Sequence, residues 1–417
     1  MTGATTTPDR AEPSFRLPLP RPFFDRDTPF DPPAALREQA AKGPVAEVTN
    51  GEGTKVWLVS GHAEARAVLS DTRFSSDLRR LVSRMDGLTD EQRDDLMSEE
   101  SSAGSFISMD PPDHTRYRKL LTGQFTVRRM RMLEPRIAEI VDERIDAMLA
   151  GGTSADLVAE FALPVPSLVI CELLGVPYEQ RAEFQECAAK LLALDVPISE
   201  VLTLRDRLQD FMRGLVLQKR RAPGDDLISG LITNSDLNDN ELVNIANLLL
   251  IAGHETTANM LGLGTFALLE HPEELAALRA NPELADRAVE ELLRHLSIIH
   301  AGPSRVATED IEVGGVLIPE GSTVMISVPA ANRDPGHWAD PAALDVARER
   351  GPHLAFGHGV HQCLGQQLAR IEMTIGLTKL LARLPGLRLA VPAEDVPLRT
   401  DMAIYGVHAL PVAWDAP

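Results

Sequence analysis

One long apolar segment constrains the fold of this chain more than any other feature of its sequence. Asn238 and Glu241 have the spacing of a capping box, and the apolar pattern that follows continues to about Glu270. As an α-helix this segment would be roughly 50 Å long and would have to cross the whole core. Helical periodicity precedes it, and only short strands with period two follow residue 305. These patterns predict a mainly α fold with small β-sheets and disfavour a doubly wound parallel sheet.

The composition of the 417 residues is that of a globular protein, with 44% hydrophobic and 24% charged residues. The net charge of −20 repels nucleic acid and anionic lipid head groups, so we expect neither as a partner. No segment has the apolar length that a bilayer span requires, so we expect no membrane contact. Three cysteines are too few for a disulfide framework, which predicts a cytoplasmic protein with a thiol free for chemistry.

The chain divides into a short tail and one large domain. Residues 1–15 are rich in Thr and Pro and bury too little apolar area to become ordered, so we expect a mobile tail before a single domain at 16–417. Residues 75–109 are charged and weakly periodic. We interpret them as a long connection, either a solvated surface loop or a functional lid.

The most specific motif is the glycine-rich segment from Phe356 to Gly365, which reads FGHGVHQCLG. Its glycines allow tight turns around Cys363 and close approach to a bulky planar ligand. Loop amides and the N-terminus of the helix predicted at 364–380 would stabilise a thiolate there. A lone cysteine is more often a small buried hydrophobe, but this loop favours a thiolate that binds a metal.

A second motif, AGHETT at residues 252–257, lies in the middle of the long apolar helix. It is not a zinc protease motif, because Ala258 occupies the place of the second histidine. Gly262 and Gly264 have the spacing of part of a dinucleotide-binding motif. That motif follows a β-strand and none is predicted here, so close helix packing explains these glycines better. An ionisable Glu255 beside two hydroxyls is costly in a core helix, and we interpret it as part of a functional site.

Together these motifs resemble those of the cytochrome P-450 superfamily of haem-thiolate monooxygenases. Its haem-loop pattern, F-x-x-G-x-x-x-C-x-G, is matched in full at residues 356–365. The resemblance implies a single triangular domain with haem b between the long central helix and the cysteine-loop helix. It makes Cys363 the proximal iron ligand, with Phe356 and Gly357 beside the cofactor. Glu255 and Thr256 would deliver protons while O2 is activated, although Thr256 could instead bond the carbonyl four residues earlier and bend the helix.

The same resemblance assigns further residues. Glu291 and Arg294, three residues apart on one helix face, would form a structural triad with Arg348. The expected partners of the haem propionates are His114, Arg118, Arg305 and His361. Arg116 would take the place of Arg118 if the helix register slips. The expected substrate-pocket residues are Ala252, Ile299, Met402 and Ile404. The pocket would be bordered by residues 75–109, 195–198 and 297–302, the first two as moving lids.

By this resemblance the protein inserts one oxygen atom from O2 into a lipophilic natural product or xenobiotic, by hydroxylation or epoxidation. It looks closest to soluble actinobacterial hydroxylases of macrolides and other lipophiles, which would place it in secondary metabolism. No flavin or iron–sulfur domain fits in the remaining length, so NAD(P)H electrons would arrive through a ferredoxin reductase and a ferredoxin. We expect a monomer. A haem-thiolate peroxygenase or isomerase, or a non-catalytic haem sensor, are the alternatives.

Overall fold

The computed structural model describes residues 19–49, 53–83 and 88–416, which contain many helices and three small sheets. The fold class predicted from the sequence is confirmed. The predicted tail at 1–15 lies outside the described residues. The α-helices of the described part are α1 Ala34–Ala40, α2 His62–Ser70, α3 Leu78–Val82, α4 Asp90–Met97, α5 Glu99–Ser102, α6 Asp113–Thr122, α7 Val127–Arg131, α8 Glu134–Ala150, α9 Pro164–Leu174, α10 Arg181–Leu191, α11 Ile198–Arg221, α12 Leu227–Asn234, α13 Asp239–Glu270, α14 Pro272–Ala280, α15 Ala285–Leu296, α16 Val328–Ala331 and α17 Gln366–Arg383.

Helix α13 is the long helix that the sequence predicts, and it passes through the centre of the largest apolar cluster. The predicted capping box is confirmed, since the Asn238 side chain accepts the Glu241 amide at 3.0 Å and the Glu241 carboxylate accepts the Asn238 amide at 2.7 Å. Helices α9, α11 and α17 pack around it. A Cβ at Gly253 would lie 2.9 Å from the Ile170 side chain, so glycine allows α9 to approach closely. Few of the described side chains of α13 are exposed to solvent.

Ten short strands form the sheets of the described part. The five-stranded sheet has the order β1-β2-β8-β5-β3, and only β2 and β8 run parallel in it. Two hairpins form, one from β1 and β2 and one from β6 and β7 across Gly314 and Gly315, whose φ angles are 58° and 77°. The strands are β1 Val45–Thr49, β2 Lys55–Val59, β3 Phe74–Ser75, β4 Ser154–Asp156, β5 Ser304–Ala307, β6 Ile311–Val313, β7 Val316–Ile318, β8 Thr323–Ile326, β9 Arg388–Leu389 and β10 Pro411–Ala413.

The region interpreted as a long loop, 75–109, is a series of short helices in its described residues, so that interpretation is wrong for α3, α4 and α5. Polar caps start these helices: the side chains of Asp77, Thr89 and Ser98 each accept an amide of the following turn. At most one buried residue anchors each helix, too few to produce a periodic signal. The signal that could have found α4 is the capping box of Thr89 and Gln92.

No helix in the described part of the chain is long and apolar enough to cross a membrane. Helices α13 and α17 pack directly against one another. At this contact, a Cβ at Gly376 would lie 3.0 Å from the Leu261 side chain, so glycine brings the two helices together. The fold therefore links the helix that carries AGHETT to the helix that follows the cysteine loop.

Candidate active site

The glycine loop presents Cys363 from a tight turn immediately before α17. Gly357 and Gly359 have φ angles of 68° and 73°, a region that favours glycine. A Cβ at Gly359 would lie 2.3 Å from the Leu69 carbonyl oxygen, so this position also requires a residue without a side chain. The Cys363 amide donates to the Phe356 carbonyl at 2.8 Å and closes the loop. Cys363 is exposed, whereas the other two cysteines are buried.

The surroundings of Cys363 act on its thiol in two directions. Desolvation by the surrounding chain is the larger effect and raises the pKa of Cys363 above its ordinary value, while the amides of Gly365 and Gln366 and the charges of Arg118 and Arg370 oppose that rise. Helix α17 begins at Gln366, so these amides are free N-terminal donors that stabilise an anion. The loop therefore surrounds the sulfur with donors that offset part of the desolvation cost of a thiolate.

Helix α13 is accessible at one place along its buried middle. Ala252 is exposed and Thr256 is partly exposed, while their neighbours His254, Glu255 and Thr257 are buried. The Thr256 hydroxyl donates to the Ala252 carbonyl at 2.7 Å, which is the local bond anticipated from the sequence. Ala252 and Thr256, one helical turn apart, thus leave the surface of α13 accessible beside the Thr256 hydroxyl.

Glu255 points into the protein and is only 2% exposed. One carboxylate oxygen, Oε2, accepts a hydrogen bond from Arg399 Nη2 at 3.0 Å and from Asn259 Nδ2 at 3.3 Å. His254 Nδ1 lies 3.8 Å from the other oxygen, and burial lowers the pKa of His254, which favours the neutral ring. Sequence reasoning missed Arg399, because no local motif marks its position.

Four basic side chains gather next to the cysteine loop, and we call them the basic cluster: His114, Arg118, Arg305 and His361. The rings of His114 and His361 lie 4.2 Å apart between centroids, and Arg118 donates to the Gln362 carbonyl at 2.5 Å. Burial, then the charges of Arg305, His114 and Arg118, lower the pKa of His361 to about 3. The alternative Arg116 is bound elsewhere, to Glu241 and Asp236, so Arg118 is the arginine of this cluster.

The basic cluster has no free counter-anion among the described residues. Asp110 is near, but its oxygens accept the Ser75 hydroxyl and, at 2.7 Å, the Ser76 amide. Burial lowers the pKa of Arg305 to about 10, and both ring nitrogens of His114 lack a partner within the described part of the chain. Such groups suit an anionic ligand. Two guanidinium groups and two histidine rings with lowered pKa values beside the Cys363 sulfur therefore fit haem, which offers an iron and two propionates.

The predicted triad residues are in direct contact. Arg294 binds both carboxylate oxygens of Glu291 at 2.7 Å each, and Arg348 Nε adds a third hydrogen bond at 3.0 Å. The side chains of Glu291 and Arg294 are each 1% exposed. Both guanidinium groups also bind backbone carbonyls within residues 332–343, so this buried carboxylate organises a long loop.

The candidate pocket residues occupy two places. Ile299 and Ile404 form a β-bridge, and Met402 bridges to Ala193, so the segment around residues 401–405 joins the 192–195 turn to the 298–301 segment. Met402 and Ile404 are only 5% and 9% exposed. Ala252 is the one exposed member of this set and lies on α13.

Comparison with known proteins assigns the family. The cytochrome P-450 family model matches residues 90–403. Cytochrome P-450-SU2 of Streptomyces griseolus is 47% identical over 98% of this chain and 100% of its own. The crystal structure of Rif16 is 58% identical with a TM-score of 0.82, covering 95% of this chain and 100% of its own. CYP105P1 in complex with filipin I is 46% identical with a TM-score of 0.89, covering 96% and 100%. Since motifs, fold and full-length relatives agree, this chain belongs to the cytochrome P-450 family and is a monooxygenase that uses haem b and O2.

Proposed function

We propose that this monooxygenase oxidises a lipophilic small molecule that enters beside the opening of α13. The observation that carries the proposal is the exposed Ala252 and partly exposed Thr256 in an otherwise buried apolar helix. An opening bordered by apolar helix surface favours an apolar substrate. The relative CYP105P1 binds filipin I, which supports a natural product as the substrate class.

Cys363 is the proposed iron ligand, and the basic cluster is the proposed partner of the propionates. Bound through a thiolate, haem supplies the chemistry that cleaves the O–O bond. The N-terminal amides of α17 moderate the charge on the sulfur. Phe356 and Gly357 shape the loop beside the cofactor, and the triad supports the segment that precedes the loop.

Thr256 and Glu255 are the proposed proton carriers. The Thr256 hydroxyl reaches the accessible side of α13, where it can donate a hydrogen bond in place of the one it makes to Ala252. Glu255 is adjacent in sequence but held by Arg399, so proton transfer requires the carboxylate to leave this ion pair. Arg399 is thus a positioning residue for the acid. The contact with Arg399 holds the Glu255 side chain in one orientation between turnovers.

The proposed electron source is a ferredoxin reduced by a ferredoxin reductase with NAD(P)H. The protein needs a redox partner, and we propose that it acts as a monomer in the cytoplasm. The net charge of −20 supports the absence of nucleic acid among its partners.

The test of the activity supplies NADPH, a surrogate reductase and ferredoxin, isotopically labelled O2 and a panel of lipophilic compounds. We expect at least one compound to shift the haem spectrum on binding and to gain one labelled oxygen atom. Spectral binding without any oxygenated product across the panel would instead support a haem sensor.

The test of the proton carriers compares two threonines on the same helix. Thr265 also donates to the carbonyl four residues earlier, at 2.8 Å, but it is buried. Thr256→Ala is expected to retain haem and substrate binding while releasing more peroxide per NADPH, because general-acid assistance contributes about 100-fold or more. Thr265→Ala is the matched control and leaves that ratio unchanged. Equal ratios in both variants would contradict the role of Thr256.

A further inference from the structure

A second carboxylate, Glu290, contacts residues on both sides of the cysteine loop. Its Oε1 accepts Arg370 Nε at 2.5 Å, and its Oε2 accepts Arg370 Nη2 at 3.1 Å. His353 Nε2 lies 3.0 Å from the same Oε2. His353 precedes the loop and Arg370 lies on α17 after it, so one residue of α15 ties the two ends of the loop together.

The contacts continue from Arg370 into the loop itself. The Arg370 guanidinium lies 4.5 Å from the centroid of the Phe356 ring, within cation–π range, and the His353 ring lies 6.0 Å from the same ring. Phe356 in turn accepts the Cys363 amide at 2.8 Å. We call Glu290, His353, Arg370 and Phe356 the Glu290 clamp.

The Glu290 clamp differs from the neighbouring triad in what it holds. Successive residues on a helix point in directions about 100° apart. Glu290 therefore reaches α17 and the loop, whereas Glu291 reaches Arg294 and Arg348. The two adjacent carboxylates of α15 support different segments and are not substitutes for each other.

Charge gives the clamp a second effect. Burial raises the pKa of Glu290, but hydrogen bonds from His353 and Arg370 outweigh it and hold that pKa at about 2. The carboxylate is thus ionised at neutral pH and neutralises Arg370, whose guanidinium lies against the Phe356 ring of the cysteine loop. Removing the carboxylate charge would leave Arg370 uncompensated near the sulfur.

We propose that Glu290 is a positioning residue for the thiolate ligand, holding Arg370 against Phe356 and compensating its charge beside Cys363. The inference rests on the assignment of Cys363 as the iron ligand. The two fail differently: a wrong ligand leaves thiolate ligation intact in Cys363→Ser, whereas a wrong clamp leaves the Glu290 variants unchanged.

The experiment measures two properties of the haem-loaded protein: the midpoint potential of the iron, and the rate at which the reduced carbon monoxide complex loses the red-shifted Soret band of thiolate ligation. In Glu290→Gln the uncompensated positive charge favours the reduced iron, so the potential moves positive, and the loosened loop loses the band faster. Glu283→Gln is the matched control, since Glu283 is an exposed carboxylate that lies just before α15. It is expected to leave both properties unchanged.

A double variant separates charge from geometry. Glu290→Gln with Arg370→Gln restores the charge balance, so the potential is expected to return toward the unmodified value while the band is still lost faster. If Glu290→Gln does not retain haem, Arg370→Gln alone decides, because removing the cation must move the potential negative. The proposal is overturned if the potential does not move in Glu290→Gln, or in Arg370→Gln where Glu290→Gln loses haem, or if Glu283→Gln moves it equally.

Discussion

Replacing Arg399 with Met removes one partner of a buried ion pair. The Arg399 and Glu255 side chains are 10% and 2% exposed, and Arg399 Nη2 lies 3.0 Å from Glu255 Oε2. Loss of one partner costs about 3–5 kcal/mol, because the remaining charge keeps its desolvation penalty without its attraction. Asn259 Nδ2 still binds the same oxygen at 3.3 Å, so we expect the lower end, about 3 kcal/mol. For a protein of 417 residues this corresponds to a fall in Tm of about 3–4 °C.

The matched control is Arg388→Met in the same C-terminal region. Arg388 binds Asp415 at 3.0 Å, but the two side chains are 57% and 65% exposed. Exposed pairs contribute at most about 1 kcal/mol, so the control is expected to change Tm by no more than about 1 °C.

Thermal unfolding of the haem-loaded protein, followed by circular dichroism, gives the assay. Glu255→Gln and the double variant complete a thermodynamic cycle. We expect a coupling energy of about 1–3 kcal/mol between Arg399 and Glu255, since removing both charges avoids an unpaired buried carboxylate. Additive effects in the double variant, or an Arg399→Met effect no larger than that of Arg388→Met, would refute the reasoning.

Three further predictions follow from the site and its borders. Cys363→Ser is expected to abolish the red-shifted Soret band of the reduced carbon monoxide complex, whereas Cys171→Ser and Cys187→Ser are expected to preserve it. The opposite pattern would show that another cysteine binds the iron. On binding of a tight ligand, residues 88–105 and 190–200 are expected to gain hydrogen-exchange protection together, and protection confined to the haem loop would exclude a lid. Burial lowers the pKa of His300 to about 3, so its contribution to stability is complete above pH about 6.5 and is lost as the pH falls toward 3. His300→Phe is expected to reduce the dependence of unfolding free energy on pH in that window by up to about 1.4 kcal/mol per pH unit, and an unchanged dependence would contradict it.

The lid prediction has specific contacts behind it. Asn244 on α13 donates to the carbonyls of Glu100 and Ala103 at 2.9 and 2.8 Å, and Arg205 on α11 binds Asp95 at 2.8 Å. With the contacts of Arg205 to Ser101 and of Arg213 to Glu100, each at 3.3 Å, these polar contacts help to hold the short helices of residues 88–105 onto α11 and α13. Since at most one residue of each of these helices is buried, the segment is expected to open more easily than the core.

The sequence by itself determined the elements whose stabilising contacts are close along the chain. The Asn238 capping box starts α13, the Gly314-Gly315 pair forms its hairpin, and the glycine loop places Cys363 before the N-terminus of α17. In each case the bonded groups lie within a few residues of one another, so residue type and spacing are sufficient to predict them. Short helices such as α4 escaped prediction because one apolar anchor does not make a periodic pattern.

Only the tertiary structure decided which distant charges meet. Glu255 is 144 residues from Arg399, and Glu290 is 80 residues from Arg370. The tertiary structure also places Arg118 in the basic cluster and keeps Arg116 away from it, because Glu241 on α13 binds Arg116. The physical reason is the same in all three cases: burial makes an unpaired charge costly, so the packing of helices far apart in sequence selects the partner.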